Sequence, residues 1–551
     1  LATNNVTGNV GIGRSTAISR RAPAVRNCPG FDVLITWHAS VPPVAHVCVT
    51  ALLDALTDTN SFQAWTAAEL SVAGHAGTFG EEYEQELADA RDRSGSAEAV
   101  VVGQATIDGI PVAIIVSDFA FLAGSVGTDA CQLVIAAFDR ARELGLPVFA
   151  SPSSGGTRMQ EGTAAFVLMA DVAAAVKRLR ARGLGLFVWL RNPTTGGVMA
   201  TWGSLGTVTF GQPQALAGFL GPRVFEMLSG ETFPAGIQVT DNLCEHGVID
   251  GVVELEHLRE RVSNVFRVST NSPTDRVGSP YVDDLGPEGL ARVGNPDPWD
   301  CVLRTRDPQR PTTQALLAAS LNHSTRLHGD GEGNRSDAIA LYLAQWNATP
   351  AVVVAQDRSA QQDGCALGPA ALRTARRGFS LAVELGLPLI TVVDTPGAEL
   401  SVNAEQNGLA GQIAQCLAEL TLLPVPTVSV LLGMGCGGGA LALMPADRVV
   451  AAAHAWVSPL PLEGASVIRY RTADRAAQMA RDQRIAAWQL AEIGVVDVVV
   501  PEMPDAAQEP ESFLKRLSHT VSVELDQLLQ RDEASRLAAR ARRYRGGVNV
   551  D

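Results

Sequence analysis

Apolar residues recur along this chain in two rhythms, one helical and one unbroken, and the rhythm changes at glycines. The spacing over Cys131–Leu144 predicts a helix that ends at Gly145, and Pro147–Ala150 then reads as a short buried strand. A second helix is predicted over Ala164–Arg182, closed by Gly183, and a second buried strand over Leu186–Leu190. The succession returns later as Leu372–Leu385, Leu389–Asp394, Gly408–Thr421 and Thr427–Leu432. Strands alternating with helices indicate α/β units joined by right-handed crossovers. Phe513, Leu514, Leu517, Val521, Leu525, Leu528 and Leu529 keep helical spacing and predict a helical arm over Glu511–Arg545.

That return is an internal repeat. RELGLPVFA at 142–150 matches VELGLPLIT at 383–391, so Gly145 and Gly386 lie 241 residues apart. Gly197 in PTTGGVMA and Gly439 in CGGGALAL differ by 242, and Asp250 and Asp497 by 247. Landmarks in one order at nearly one spacing point to two copies of one architecture. The chain divides accordingly into an arm over 1–50, a first α/β domain over 51–266, a linker over 267–300 rich in Ser, Pro, Gly and Asp, a second domain over 301–505 and the helical arm over 506–551.

Composition agrees with this size and narrows the function. The 551 residues are 46% hydrophobic, enough for more than one core, while charged residues make up only 18%. So bland a composition implies surface buried between domains and between subunits, hence a homo-oligomer. A formal net charge of −15 excludes a nucleic-acid-binding body, for no stripe of Lys and Arg is available to displace counterions. Eight cysteines without a CxxC pair read as reduced thiols. Apolar runs such as Ile110–Val116 are far too short to cross a membrane, and the N-terminus lacks the apolar core of a signal peptide. A soluble, cytoplasmic protein with no membrane partner is expected.

Four glycine-rich loops stand where a strand hands over to a helix: SSGGTRMQEG (153–162), PTTGGVMATWG (193–203), DTPGAEL (394–400) and GMGCGGGALAL (433–443). Glycine lets a substrate approach the backbone, and successive amides at a helix start aim partial positive charge at one spot, which suits an oxyanion. Rival readings exist at the last loop. Gly433, Gly435 and Gly438 form a lone GxGxxG, but the acidic residue expected about 20 positions on is missing. Cys436 could be a nucleophile with His454 as its base, yet the glycine of a nucleophile elbow is absent. No Walker, HExxH or DxDxDG pattern occurs.

At these loops the chain resembles the carboxyltransferase component of bacterial acetyl-CoA carboxylase, with the β-type subunit first and the α-type subunit second. DFAFLAGSVG (118–127), SSGGTRMQEG, PTTGGVMATWG and GQPQALAGFLGPRVFE (211–226) resemble the β subunit over about residues 50–260. DPQRPTT (307–313), LHGD (327–330), LPLITVVDTPGAE (387–399), GMGCGGGALAL and VSPLPLEGAS (457–466) resemble the α subunit over about residues 300–505. The resemblance implies two tandem crotonase-like (ClpP/crotonase) ββα-superhelix domains with a C-terminal helical arm.

It also implies the chemistry. Carboxybiotin arrives on a biotin carboxyl carrier protein charged by a biotin carboxylase. It releases CO2, its nitrogen takes the α-proton of an acyl-CoA, and the enolate captures the CO2. Carried over from the family, Gly196 and Gly197 stabilise the thioester enolate, and Gly439 and Ala440, with Gly438, the ureido oxygen of biotin. Gly155, Gly156 and Arg158 shape the acyl-CoA side, and Gly397 and Ala398 the biotin side; Arg158 reads equally well as an anchor to a buried carboxylate. Acetyl-CoA is the default acceptor, giving malonyl-CoA for fatty acid or polyketide biosynthesis. In the family the first domain of one protomer faces the second domain of another across a dimer. The family's four-cysteine zinc ribbon is reduced here to Cys28, Cys48, His38 and His46, and no zinc or other metal is predicted. AQDRSA (355–360) and QDGCALGP (362–369) depart from the family pattern, which leaves a malonyl-type decarboxylase or transcarboxylase and a non-catalytic CoA- or carrier-binding paralogue as alternatives.

Overall fold

Two apolar runs of eight residues, Val100–Ile107 and Ile110–Ser117, are separated only by Asp108 and Gly109. Both linking residues take positive φ, 50° and 76°, and the runs pair as an antiparallel hairpin. Ile339–Trp346 and Thr349–Gln356 form the corresponding hairpin in the second half, turned at Asn347. The computed structural model describes residues 44, 46–73, 79–220, 222–270 and 294–546.

From each hairpin the sheet grows by parallel strands. In the first, Ile110–Ser117 is followed by Val148–Ser151, Leu186–Leu190, Val208–Gly211 and Gly251–Val252, with Gln63–Ala64 on the hairpin's outer edge. In the second, Thr349–Gln356 is followed by Leu389–Thr395, Thr427–Cys436, Arg448–Ala452 and Val498–Val500, with Leu321–Leu327 on the outer edge. Each half is therefore an α/β unit with a mixed sheet, and the repeat in the sequence is a repeat in topology.

The matched landmarks occupy matched places. Thr128–Leu144 and Pro369–Leu385 are both helices of 17 residues, closed by Gly145 and Gly386 in the left-handed region at φ 68° and 63°. Asp250 and Asp497 do the same work on neighbouring strands. The Asp250 N–H donates to Thr209 O while its carboxylate accepts the Thr209 N–H, and Asp497 repeats both bonds with Val449. The wider offset of the aspartates follows from the segment before them, which holds three helices in the second half, Leu462–Tyr470, Ala476–Asp482 and Ala487–Glu492, against two in the first, Pro222–Ser229 and Thr240–Glu245.

Several predicted elements change in extent. The helix expected over Ala164–Arg182 is two, Gly162–Val167 and Met169–Arg180, and the strand beginning at Thr427 runs on to Cys436. The C-terminal arm is broken into Pro510–Leu529 and Glu533–Gly546, because the Asp532 carboxylate accepts the Ser535 N–H at 2.9 Å and starts a new helix. The second helix is firmly held. Arg540 is fully buried, pairs with Asp447 and donates to the carbonyls of Leu420 and Leu423, and Arg543 pairs with Asp497.

One continuous core joins the halves. Helix Leu255–Ser269 buries Leu258, Val262, Val265 and Phe266 in a cluster that holds Phe187 and Phe210 of the first sheet and Leu341 and Val354 of the second. Polar ties cross the same seam. Arg180 makes a bidentate pair with Glu384 at 2.8 and 2.6 Å, and Arg377 with the buried Asp250 at 2.8 and 3.0 Å. Gly329 of the LHGD motif, at φ 67°, packs on Gly247 so closely that a Cβ there would lie 2.4 Å from the Gly247 Cα. Low charge content is thus explained in part within a single chain.

The seam generates two predictions. Arg377→Ala leaves Asp250 buried without its cation and lowers unfolding stability by about 3 kcal/mol, read from the denaturant midpoint. Burial, aided by Arg335 and Arg326, pushes His328 down to about 4 from its ordinary 6.5. The unfolded chain therefore takes up a proton that the folded one refuses. The contribution is complete above pH 6.5 and is lost as pH falls toward 4, so His328→Asn flattens the decline of the melting temperature over that window.

Candidate functional site: two glycine turns

Each half brings two of its glycine loops together at the ends of adjacent parallel strands. In the first loop Ser154 Oγ accepts the Gly156 N–H at 3.0 Å, and in the second half Thr395 Oγ1 accepts the Gly397 N–H at 3.1 Å. Gly156 and Gly397 both carry positive φ, 114° and 138°. Two residues on, the Arg158 N–H donates to Val126 O at 2.9 Å and the Glu399 N–H to Leu367 O at 3.0 Å. Every one of these pairs is separated by 241 residues.

The same offset links the turns above them. Gly196 at φ 62° and Gly437 at φ 64° reverse the chain from extended backbone into the short helices Gly196–Val198 and Gly437–Leu441. No L side chain adopts that conformation cheaply, and space is tight around the turns. A Cβ on Gly196 would lie 3.3 Å from the Gly156 Cα; on Gly439, 2.9 Å from both Ala398 N and Leu367 Cδ2. The loops predicted separately are thus in contact, Gly156 with Gly196, Thr157 with Gly197, and Gly397 and Ala398 with Gly439.

The predicted donors do not stand alike. The Gly196 N–H already donates to Phe219 O at 3.2 Å and the Gly155 N–H to Ala123 O at 3.0 Å, so neither is free in this chain. Gly197 is half-buried, and its backbone counterpart is the half-buried Gly438 rather than Gly439. Gly439 corresponds to Val198, and both Gly439 and Ala440 are buried one step deeper. The 242-residue match drawn from the sequence is off by one, because a run of three glycines does not show which of them makes the turn.

What braces each turn differs. Arg158 is buried and pairs with Glu98 and, at 3.2 Å, with Glu161; it also donates to Tyr83 Oη and to Ser125 O. This is the anchor reading of Arg158, for its guanidinium is engaged by protein groups. Burial alone would raise the Glu161 carboxyl, but hydrogen bonds from Thr128 and Tyr83 outweigh it and hold it below the usual range. The second turn is braced by amides and by a buried ion pair. Gln356 Nε2 donates to Gly439 O at 2.7 Å, and Thr395 Oγ1 donates to Gln361 Oε1 at 2.6 Å. Asp394 pairs with Arg358 at 3.1 Å and accepts the Met434 N–H at 3.0 Å. Ser154, Thr395, Gln356 and Gln361 were not singled out in the sequence, although Ser154 and Thr395 keep the 241-residue offset.

The rival chemistries lose their geometry. Gly433 and Gly435 lie inside strand Thr427–Cys436, against Asp394 and Trp456, and not in a phosphate-binding loop. Cys436 is buried, which pushes its thiol up to about 11, and His454 Nδ1 is bonded to Glu502 at 2.8 Å. Of the zinc-ribbon remnants, Cys28 and His38 lie outside the described residues, Cys48 is exposed, and His46 stacks on Phe119 with its Nδ1–H on Asn192 O. Among the described residues no group of three or more His, Cys, Asp or Glu could hold a metal ion, and no helix is long and apolar enough to cross a membrane. A cavity of about 470 Å³ opens beside Pro296, His454 and Met503, and none of the predicted site residues lines it.

A fold of two tandem hairpin-plus-parallel-sheet units, each with an amide turn, is that of the crotonase-like carboxyltransferases. Residues 291–547 match the family model described as acetyl co-enzyme A carboxylase carboxyltransferase-like. The chain is 45% identical over 502 residues to a probable biotin-dependent acyl-coenzyme A carboxylase beta3 subunit of Mycobacterium bovis, covering 91% of this chain and 99% of that one. It is 37% identical over 476 residues to the acetyl-coenzyme A carboxylase carboxyl transferase subunits beta/alpha of Salinispora tropica, covering 84% of each. Among solved structures it is similar to transcarboxylase 12S, described as a hexamer, at a TM-score of 0.67 and 20% identity over 86% of this chain and 90% of that one. The chain belongs to the carboxyltransferase family of biotin-dependent acyl-CoA carboxylases.

Arg158 tests the bracing of the first turn. Arg158→Met strands Glu98 and Glu161 in a buried setting and costs about 3–5 kcal/mol of unfolding stability, measured by urea titration.

Proposed function

We propose that the protein transfers a carboxyl group from carboxybiotin, held on a carrier protein, to the α-carbon of a short acyl-CoA, with acetyl-CoA as acceptor and malonyl-CoA as product. The observation that carries this reading is the repetition of one amide turn, at a fixed offset, in both halves of a chain of this family. A transferase with two substrates that each develop charge on an oxygen has use for two such turns. Preorganised amides are suited to this, each donor being worth about 3–4 kcal/mol where charge develops.

In this reading the half over 51–266 takes the acyl-CoA and the half over 301–505 the biotin, with Gly197 and Gly438 as the leading donors and Gly156, Gly397 and Ala398 shaping the approach. Gly439 and Ala440 support the second turn from beneath. Biotin enters as a carried substrate, and a turn made of the three glycines 437–439 is a fitting place for its ureido oxygen. A biotin carboxylase and a biotin carboxyl carrier protein are the partners. Assembly as a dimer, or a multiple of one, sets the first half of one protomer against the second half of another. Met159 and Leu400, 83% and 94% exposed at equivalent positions on the two rims, favour a covered state of both turns.

The deciding experiment is the reverse reaction. Malonyl-CoA supplied with biotinyl carrier is expected to lose its carboxylate, and turnover without carrier would favour a decarboxylase instead. No turnover in either case would favour a non-catalytic CoA- or carrier-binding role. Gly439→Val, whose side chain has no room against Ala398 and Leu367, is expected to abolish turnover while CoA affinity stays within about twofold. Cys436→Ser is expected to keep wild-type activity; a folded, inactive Cys436→Ser protein would restore the nucleophile.

A further inference from the structure

We infer that Gln356 is a positioning residue for the second turn, acting through the Gly439 carbonyl; the inference rests on the reading above, in which that turn serves the carboxyl donor. Gln356 ends strand Thr349–Gln356 and is fully buried, where an amide is costly unless both ends are bonded. Both are. Nε2 donates to Gly439 O at 2.7 Å, and Oε1 accepts the Asp394 N–H at 3.2 Å. One side chain therefore spans from the neighbouring strand to helix Gly437–Leu441.

The carbonyl it takes is one the helix abandons. A continuing helix would give Gly439 O the Leu443 N–H, but that N–H turns to Ala440 O at 3.2 Å. Gln356 replaces the missing donor and fixes the roll of a helix only five residues long. The roll decides where the N–H groups of Gly438 and Gly439 point. Above, the same helix is pressed by Ala398, so it is held from two sides.

The first half solves the same problem with a different side chain. Val198, which lies 241 residues before Gly439, offers its carbonyl to Thr201 Oγ1 at 3.3 Å, and Gly197 O accepts from the same hydroxyl at 2.7 Å. In the sheet register Ser117 stands where Gln356 does, ending its strand opposite Val100 as Gln356 ends its own opposite Ile339, and it is buried and carries no amide. The sheet thus does not require an amide there. What both halves require is a donor to the carbonyl on the third residue of the turn, and Gln356 is the one that the second half uses.

Two variants test this. Gln356→Leu removes the donor. Gln356→Glu keeps the shape, and only its protonated form can donate to Gly439 O. Both are expected to lower kcat on the order of tenfold with the KM for acyl-CoA unchanged. Gln356→Glu regains activity as pH is lowered, along a limb that the wild type lacks. Hydrogen exchange reads the geometry without turnover: the peptide covering 433–443 exchanges faster in Gln356→Leu, while that covering 193–203 does not. A folded Gln356→Leu protein with wild-type kcat, or with unchanged exchange at 433–443, would overturn the inference. Inactivity of the wild type itself would count against the proposed function, and the exchange result would still decide the positioning role.

Discussion

The structure depends on a constraint of backbone geometry: a strand must turn into a helix within one residue while leaving amides uncovered. Gly196 and Gly437 meet it by adopting positive φ, and the hydroxyls of Ser154 and Thr395 hold the loops beneath them by accepting the N–H of Gly156 and Gly397. A side chain at any of these glycines would be strained by the positive φ that the turn requires. The parallel strands, the long helices capped by Gly145 and Gly386, and the shared core place those turns at strand ends, where α/β proteins gather their chemistry.

The halves share this backbone and differ in how they brace it. The first uses charge: Arg158 between Glu98 and Glu161, with Tyr83 closing the set. The second uses the amides of Gln356 and Gln361 together with Asp394 and Arg358. A buried ion cluster is sensitive to loss of one member, because the remaining charge is left in low dielectric, whereas a buried amide loses hydrogen bonds only. Loss of Arg158 at the first turn and loss of Gln356 at the second therefore differ in kind, although the second turn also keeps the buried Asp394–Arg358 pair.

Much of the fold was legible from periodicity and repetition. The paired ELGLP segments, the two helices before them and the parallel strands after them stand where the sequence places them, since a buried stripe and a capping glycine are written in residue order. Periodicity does not show where a helix breaks without glycine or proline, and it missed the interruption at Leu168 and the new start that Asp532 imposes. Nor does it choose among consecutive glycines, so Gly439 was matched where Gly438 belongs. Arg158 reads two ways in the sequence because a cation in a glycine loop looks the same whether it faces a substrate or a buried carboxylate. Gln356 carries no signal inside AQDRSA, for its importance lies in which carbonyl it reaches, a matter of three dimensions.

The position of the acyl group decides what the first turn does. A crystal structure with a non-hydrolysable acyl-CoA bound is expected to place the thioester oxygen about 3 Å from the Gly197 N–H, at the first turn. An acyl carbonyl seated against the second turn, or away from both, would contradict that role.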